Sequence, residues 1–142
     1  MRVRDVMSAK VRTVTPDETI GDARETFRRY DIDQLVVVQH GAIVGIIADA
    51  HLRDVPDDAR INDHMVRHVT TIAPDATLRK AAGMMAGQAI GSLPVVENGK
   101  LVGILTTADL LTLLSKGSTH PAMNRKRQIL TRRGMRKRTA VF

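Results

Sequence analysis

At 142 residues and 15.6 kDa the chain has room for one ordinary domain or a pair of very small ones, not for a large multidomain enzyme. With 43% hydrophobic and 26% charged side chains it reads as globular; Phe27, Tyr30 and Phe142 are its only aromatics, too few for a base-stacking platform, so the core falls to Val, Ile, Leu, Met and Ala. There is no cysteine, which excludes disulfides, thiolate metal sites and a thiol nucleophile. The formal charge of +7 is unevenly spread: nine of the 22 basic side chains and no acid lie in residues 116–142, leaving 13 basic against 15 acidic groups in residues 1–115. A mildly acidic body with a cationic arm is expected, and any polyanion binding belongs to the arm. No apolar run approaches the roughly 20 residues of a membrane span, and Met1 to Asp5 lead into no signal-peptide hydrophobic region. The expected address is the cytoplasm, with no membrane contact.

In chain order, residues 11–15 are expected to be extended and to run into Pro16-Asp17, where Asp17 can cap a helix with Ile20, Ala23 and Phe27 on its buried face. Leu35-Val36-Val37-Val38 reads as a strand, His40-Gly41 as a tight turn, and Ile43-Val44-Gly45-Ile46-Ile47 as the returning strand, with a second helix starting near Asp49. A shift of 58 residues then repeats the pattern without a gap. Residues 3–53 align with 61–111, about 18 of 51 positions being identical. The second copy has an extended piece at 69–73, Asp75 as cap, and Leu78, Ala81 or Ala82, and Met85 on the buried helix face. Its hairpin is Leu93-Pro94-Val95-Val96 and Leu101 to Leu105 around Asn98-Gly99, with a final helix from Thr107. The order is β-α-β-β-α twice, an α+β fold of small sheets packed on helices. One unit of about 50 residues is too small to be confidently stable alone, so the copies are expected to pack around a pseudo-two-fold axis, with a cleft at their junction.

These residues resemble the tandem CBS (cystathionine-β-synthase-type) domain pair, or Bateman module. The resemblance rests on Asp63-His64-Met65, Thr71 to Asp75, Gly91 to Val96, Asn98 to Thr106 and Asp109-Leu110, and in the first copy on Asp5-Val6-Met7, Val14 to Asp17 and His40 to Ile46. It divides the chain into a CBS repeat at 1–58, a second at 59–115 and a basic tail at 116–142. It implies a sensor rather than a catalyst. The ligand would be an adenosine-containing molecule (AMP, ADP, ATP or S-adenosylmethionine), regulatory rather than an obligatory cofactor, bound between the repeats and signalling through a change in repeat or dimer packing. A homodimer is expected.

In the second copy, Thr106 and Asp109 stand three residues apart where a strand becomes a helix, which places both on one side of the first turn. A carboxylate can accept from two ribose hydroxyls, while a hydroxyl and free helix amides can meet a phosphate oxygen; this resembles the family's Ser/Thr-x-x-Asp ribose signature. The competing reading is a helix cap with a dipole-complementing acid. By resemblance, Val66, Arg67, Ile90, Gly91, Ser92 and Pro94 line the adenine slot, although Ile90 also suits plain core packing and Gly91 a bend. The first copy carries Ala48 and His51 in place of Thr106 and Asp109. Alanine has no hydroxyl and histidine accepts poorly from paired hydroxyls, so this degenerate site is expected to be empty or weak. If the lips of the two sites face each other, Asp31 and Asp33 would oppose a long phosphate chain and favour AMP or a sulfonium ligand; otherwise they are solvated surface acids.

The tail, 116–142, reads as a solvated cationic run, as a nucleic-acid phosphate contact, or as a dock for an acidic partner protein. The alternative function is accordingly a CBS dimerisation scaffold whose tail is the active element. Five histidines show no ligand pair on one helix face, so no metal is expected, and no nucleophile motif, phosphate loop or paired-carboxylate arrangement offers catalytic residues.

Overall fold

The computed structural model describes residues 1–117. They form two compact units that do not follow the sequence repeats: Lys10–Thr70 is one, and Met1–Ala9 joins the residues from Thr71 onward in the other. The lead-in of each repeat is therefore built into the unit of the other copy.

In the 10–70 unit, β1 (Thr13–Val14) lies parallel to β2 (Gln34–Gln39), which pairs antiparallel with β3 (Ala42–Ala48), and Val66 adds an antiparallel bridge to Ile46. The 71–117 unit repeats this ribbon: Ile72 bridges Val95 in parallel on β4 (Ser92–Glu97), β4 pairs with β5 (Lys100–Thr106), and Ser8 bridges Ile104 on the far edge. Pro94 has no N–H to give to the parallel neighbour, which accounts for a single bridge where the other unit has two paired residues. Both hairpins turn through two residues of positive φ, His40 (53°) with Gly41 (79°) and Asn98 (54°) with Gly99 (78°), the type I′ geometry that suits twisted strands. Both carry the same bulge, leaving Val44 and Val102 unpaired and placing Gly45 and Gly103 opposite Val37 and Val95.

One helix covers each sheet. In the 10–70 unit α2 (Ile20–Tyr30) buries Ile20, Ala23 and Phe27 against Leu35, Val37 and Ile47. In the other, α3 (Leu78–Gln88) buries Ala81 and Met85 against Leu93, Val95 and Leu105, with Val3 and Val6 of the short α1 (Val3–Val6) completing that core; Ala82 is exposed.

Two local expectations are corrected. Asp17 and Asp75 do not cap these helices. Each sits second inside a Pro-led turn closed by Glu18 N to Thr15 O (3.2 Å) or Ala76 N to Ala73 O (3.1 Å). The caps come two residues later, where the Thr19 and Thr77 hydroxyls accept from Asp22 N and Lys80 N at 3.2 and 3.1 Å. The second helix also forms in one copy only. Thr106 caps α4 (Thr107–Lys116), whereas Asp49–His51 makes a single 3-10 turn. Ala48 supplies no capping oxygen, and a proline at 56 disfavours helical backbone at the residue before it, so the helix does not extend and Val55 N closes a separate turn on Leu52 O (3.1 Å).

Candidate functional site

The sequence places a capping signature at the end of β5, and the chain uses it as one. The Asp109 N–H donates to Thr106 Oγ1 (3.2 Å) while Asp109 Oδ2 accepts from the Thr106 N–H (2.9 Å). The cap reading of this pair is thus a structural fact. It does not remove the pair from recognition chemistry, because a carboxylate accepts several hydrogen bonds at once and the box holds it at the positive end of α4. The corner is closed from the residue before β4, where the Gly91 carbonyl accepts from Thr107 N at 3.0 Å.

Register places the remaining residues. Ser92 faces Thr106 and Pro94 faces Ile104 across the β4–β5 ladder, and Ser8 faces Ile104 from the other edge. With the two-residue period of a strand, Ser92, Pro94, Ile104, Thr106 and Ser8 share one face, opposite to Leu93, Val95 and Leu105, which enter the core. Ser92 is 7% exposed, and its hydroxyl has no partner among the described residues. A buried polar side chain without a protein hydrogen bond is costly, and this one lies opposite Thr106, the first residue of the capping box. Ile90 is half-buried against the α3 core, its N–H donating to Met85 O (3.0 Å), as ordinary packing would have it.

Val66 and Arg67 are not brought into this unit. Val66, 46% exposed, exchanges backbone hydrogen bonds with Ile46, and Arg67 donates to the Asn62 carbonyl and Oδ1 at 2.8 and 3.2 Å. The lead-in residue on β5 is Ser8, whose N–H and carbonyl both pair with Ile104 at 2.9 Å. Sequence reasoning missed Ser8; the signal was present, since Ser8 is the repeat counterpart of Val66, but only the exchange of lead-ins shows that it belongs here.

In the 10–70 unit, Ala48 and His51 bracket the 3-10 turn without a capping hydrogen bond. Asp33, the counterpart of Gly91, accepts at its carbonyl from Asp49 N (2.9 Å). Its carboxyl pKa is raised from the ordinary value, first by desolvation, although the residue as a whole is exposed, and then by the nearby charges of Asp49 and Asp31. An anionic phosphate chain would meet repulsion here. Residues 118–142, and with them most of the expected polyanion arm, lie outside the described residues. No helix among the described residues is long and apolar enough to cross a membrane.

Comparison with known proteins agrees with this architecture. The CBS domain model matches residues 3–58 and 61–116. The CBS domain-containing protein YhcV of Bacillus subtilis is 28% identical over 116 residues, covering 76% of this chain and 81% of YhcV. The inosine-5'-monophosphate dehydrogenase of Methanocaldococcus jannaschii is 31% identical over 110 residues, 75% of this chain, which spans only 22% of the dehydrogenase. Among solved structures, the CBS domain pair of protein MJ0100 in complex with 5'-methylthioadenosine and S-adenosyl-L-methionine superposes with a TM-score of 0.77 at 27% identity, covering 83% of this chain and 98% of that one. Two repeats with the same ribbon and the same type I′ hairpin, matched across both copies, make this chain a member of the CBS domain family with a tandem pair of the domains.

Proposed function

We propose that the chain is a regulatory module that binds an adenosine-containing ligand at the β4–β5–α4 corner. The carrying observation is Ser92, 7% exposed and without a side-chain hydrogen bond among the described residues, beside the Thr106–Asp109 box. In this reading Asp109 accepts from the ribose hydroxyls, Thr106 and the first-turn amides of α4 meet the 5' substituent, and Ile90, Gly91, Ser92 and Pro94 border the base. None of the residues named at the corner is basic, so none can pair with a polyphosphate, and AMP, 5'-methylthioadenosine and S-adenosylmethionine rank above ATP. The corresponding site at Ala48 and His51 lacks both groups and is weak or empty. The module is cytoplasmic, homodimeric and without catalysis of its own, and it acts by favouring the partner-facing state that binds the ligand better.

Calorimetric titration of the full chain with each of the four ligands at one salt concentration tests this. One equivalent per chain with the ranking above is expected; no heat and no thermal shift with any ligand removes the reading. The charge division keeps a second reading in view, a dimerisation scaffold whose tail, 116–142, binds nucleic acid or an acidic protein. Salt-sensitive polyanion binding that vanishes on removal of residues 118–142, without ligand heats, is its signature.

A further inference from the structure

The two units dock their lead-ins by matched contacts, and one of those contacts is broken by substitution. In the 71–117 unit, Arg4 N donates to Pro74 O (2.9 Å) and Arg2 Nη1 to Asp75 O (3.1 Å). The Arg4 guanidinium is ion-paired with the Asp75 carboxylate and lies 3.9 Å from Glu97 Oε2. These acids raise the Arg4 pKa further above its ordinary value. The 58-residue shift carries Arg2, Arg4, Asp5, Pro74, Asp75 and Glu97 onto Arg60, Asn62, Asp63, Pro16, Asp17 and Gln39. The backbone contacts persist, with Asn62 N donating to Pro16 O (3.0 Å) and Arg60 Nη1 to Asp17 O (2.5 Å). The guanidinium does not persist, because Asn62 is too short to supply it.

A cavity of about 630 Å³ opens there, lined by Pro16, Asp17, Gln39, Arg60, Asn62 and Asp63, the six counterparts of the residues that surround and include Arg4. Two acids and one base line it, so a monovalent cation brings the lining to neutrality. Asp17 keeps the carboxylate that holds Arg4 in the other copy. Gln39 keeps an acceptor oxygen at the position of Glu97, without its charge.

We propose that this cavity is a binding site for an alkylguanidinium group, held by the Asp17 carboxylate and the Gln39 amide oxygen as Arg4 is held by Asp75 and Glu97. The site is independent of the adenosyl reading, since it shares no residue with the β4–β5–α4 corner. A planar fork donating to a carboxylate is the geometry the duplicate already displays, and a point-charge ammonium does not reproduce it. Two sources carry the group: a free small guanidine, or one of the arginines at 125, 127, 132, 133, 136 and 138.

The test is a titration of the isotope-labelled full chain with N-ethylguanidinium, and separately with N-ethylammonium at matched ionic strength, following the backbone amide resonances of Asp17, Gln39 and Asn62. Saturable shifts with the guanidinium are expected. Binding should weaken roughly tenfold in Asp17→Asn, which the turn tolerates, and disappear in the double variant Asn62→Arg/Gln39→Glu, which rebuilds the Arg4–Glu97 arrangement. A chain with the six tail arginines replaced by lysine separates the sources. If those three resonances move in it before any ligand is added, and N-ethylguanidinium then binds more tightly than to the parent, the tail supplies the group; resonances and affinity like the parent's assign the site to a free guanidine. No saturable shift in either the parent or the lysine chain, an equal response to N-ethylammonium, or undiminished binding in the double variant overturns the proposal.

Discussion

Met7 occupies the space that a side chain on Gly103 would need: a Cβ there would lie 2.6 Å from Met7 Sδ and 2.9 Å from the Ser8 carbonyl oxygen. The other unit repeats the arrangement, with a Cβ on Gly45 falling 2.6 Å from Met65 Sδ and 3.0 Å from the Val66 carbonyl. A thioether can swing aside, but the carbonyl oxygens are fixed, since Ser8 and Val66 are both bridged to β-strand residues by two backbone hydrogen bonds. Gly103→Ala and Gly45→Ala are each expected to lower stability by about 1–3 kcal/mol, the usual cost of overpacking. Gly83, inside α3 with nothing within 4 Å of its would-be Cβ, is the control: Gly83→Ala should raise stability by about 0.5–1 kcal/mol through helix propensity. Urea unfolding of the three variants decides the matter, and equal effects at the three glycines would show that the lead-ins are not held where they are described.

Exchange of the lead-ins leads to a prediction that chain order alone would reverse. Val3 and Val6, both fully buried, belong to the core of residues 71–117. Each contributes about 1.5–3 kcal/mol, against a stability of about 5–15 kcal/mol for a whole domain. Removing residues 1–9 should therefore cost amide protection in residues 71–117 before it costs any in residues 10–70, as hydrogen exchange would resolve. Loss confined to the first repeat would contradict the exchange.

What could be read in the sequence was local. The 58-residue repeat, the helix faces of Ile20, Ala23 and Phe27 or Ala81 and Met85, and the His40-Gly41 and Asn98-Gly99 turns all follow from periodicity and from residues that tolerate positive φ. Which unit each lead-in joins was not readable. It rests on single bridges such as Ser8 to Ile104 and Val66 to Ile46 and on the burial of Val3 and Val6 against the other copy's core, which leave no periodic trace, and either pairing satisfies the same pattern of apolar residues. The caps were misplaced by two residues because Asp17 and Asp75 are good N-cap residues that a proline-led turn had already claimed. The corner of Thr106 and Asp109 was visible as a short motif, whereas Ser8 required the fold.

Asp33 makes a pH prediction with a definite sign. Its folded-state pKa is raised above the ordinary carboxylate value, so the native state holds its proton more firmly than the unfolded chain does. Ionised Asp33 is a liability at neutral pH. The penalty is relieved as pH falls through the raised pKa, and it is gone below the ordinary one. Asp33→Asn should accordingly be more stable than the parent at pH 7, with the difference closing across the acidic window between those two values. Thermal unfolding of both proteins from pH 7 to pH 3 measures it, and a gap that widens on acidification would mean that the charge is stabilising instead.

Thr106 and Asp109 cap α4, and substitution separates that duty from the recognition proposed for them. Thr106→Ala removes the oxygen that accepts from Asp109 N, and a cost of about 1 kcal/mol in stability is expected, with fraying of α4. Thr106→Ser keeps the oxygen and should be close to neutral. Asp109→Asn keeps an acceptor for the Thr106 N–H but loses the negative charge, so its stability loss should stay within about 1 kcal/mol. In the proposed adenosyl reading the ribose hydroxyls donate to that charge, and hydrogen bonds to a carboxylate are roughly twice as strong as those between neutral groups. Asp109→Asn should therefore weaken adenosyl binding by about tenfold or more while the helix survives. Ser92→Ala should do the opposite to stability: deleting the hydroxyl of a buried residue that has no side-chain partner among the described residues relieves an unsatisfied group, so the fold is held or strengthened while ligand affinity falls. Calorimetry alongside circular dichroism of the four variants reads both quantities. If affinity simply follows helix stability across the set, the corner is only a cap, and the adenosyl reading loses its structural support.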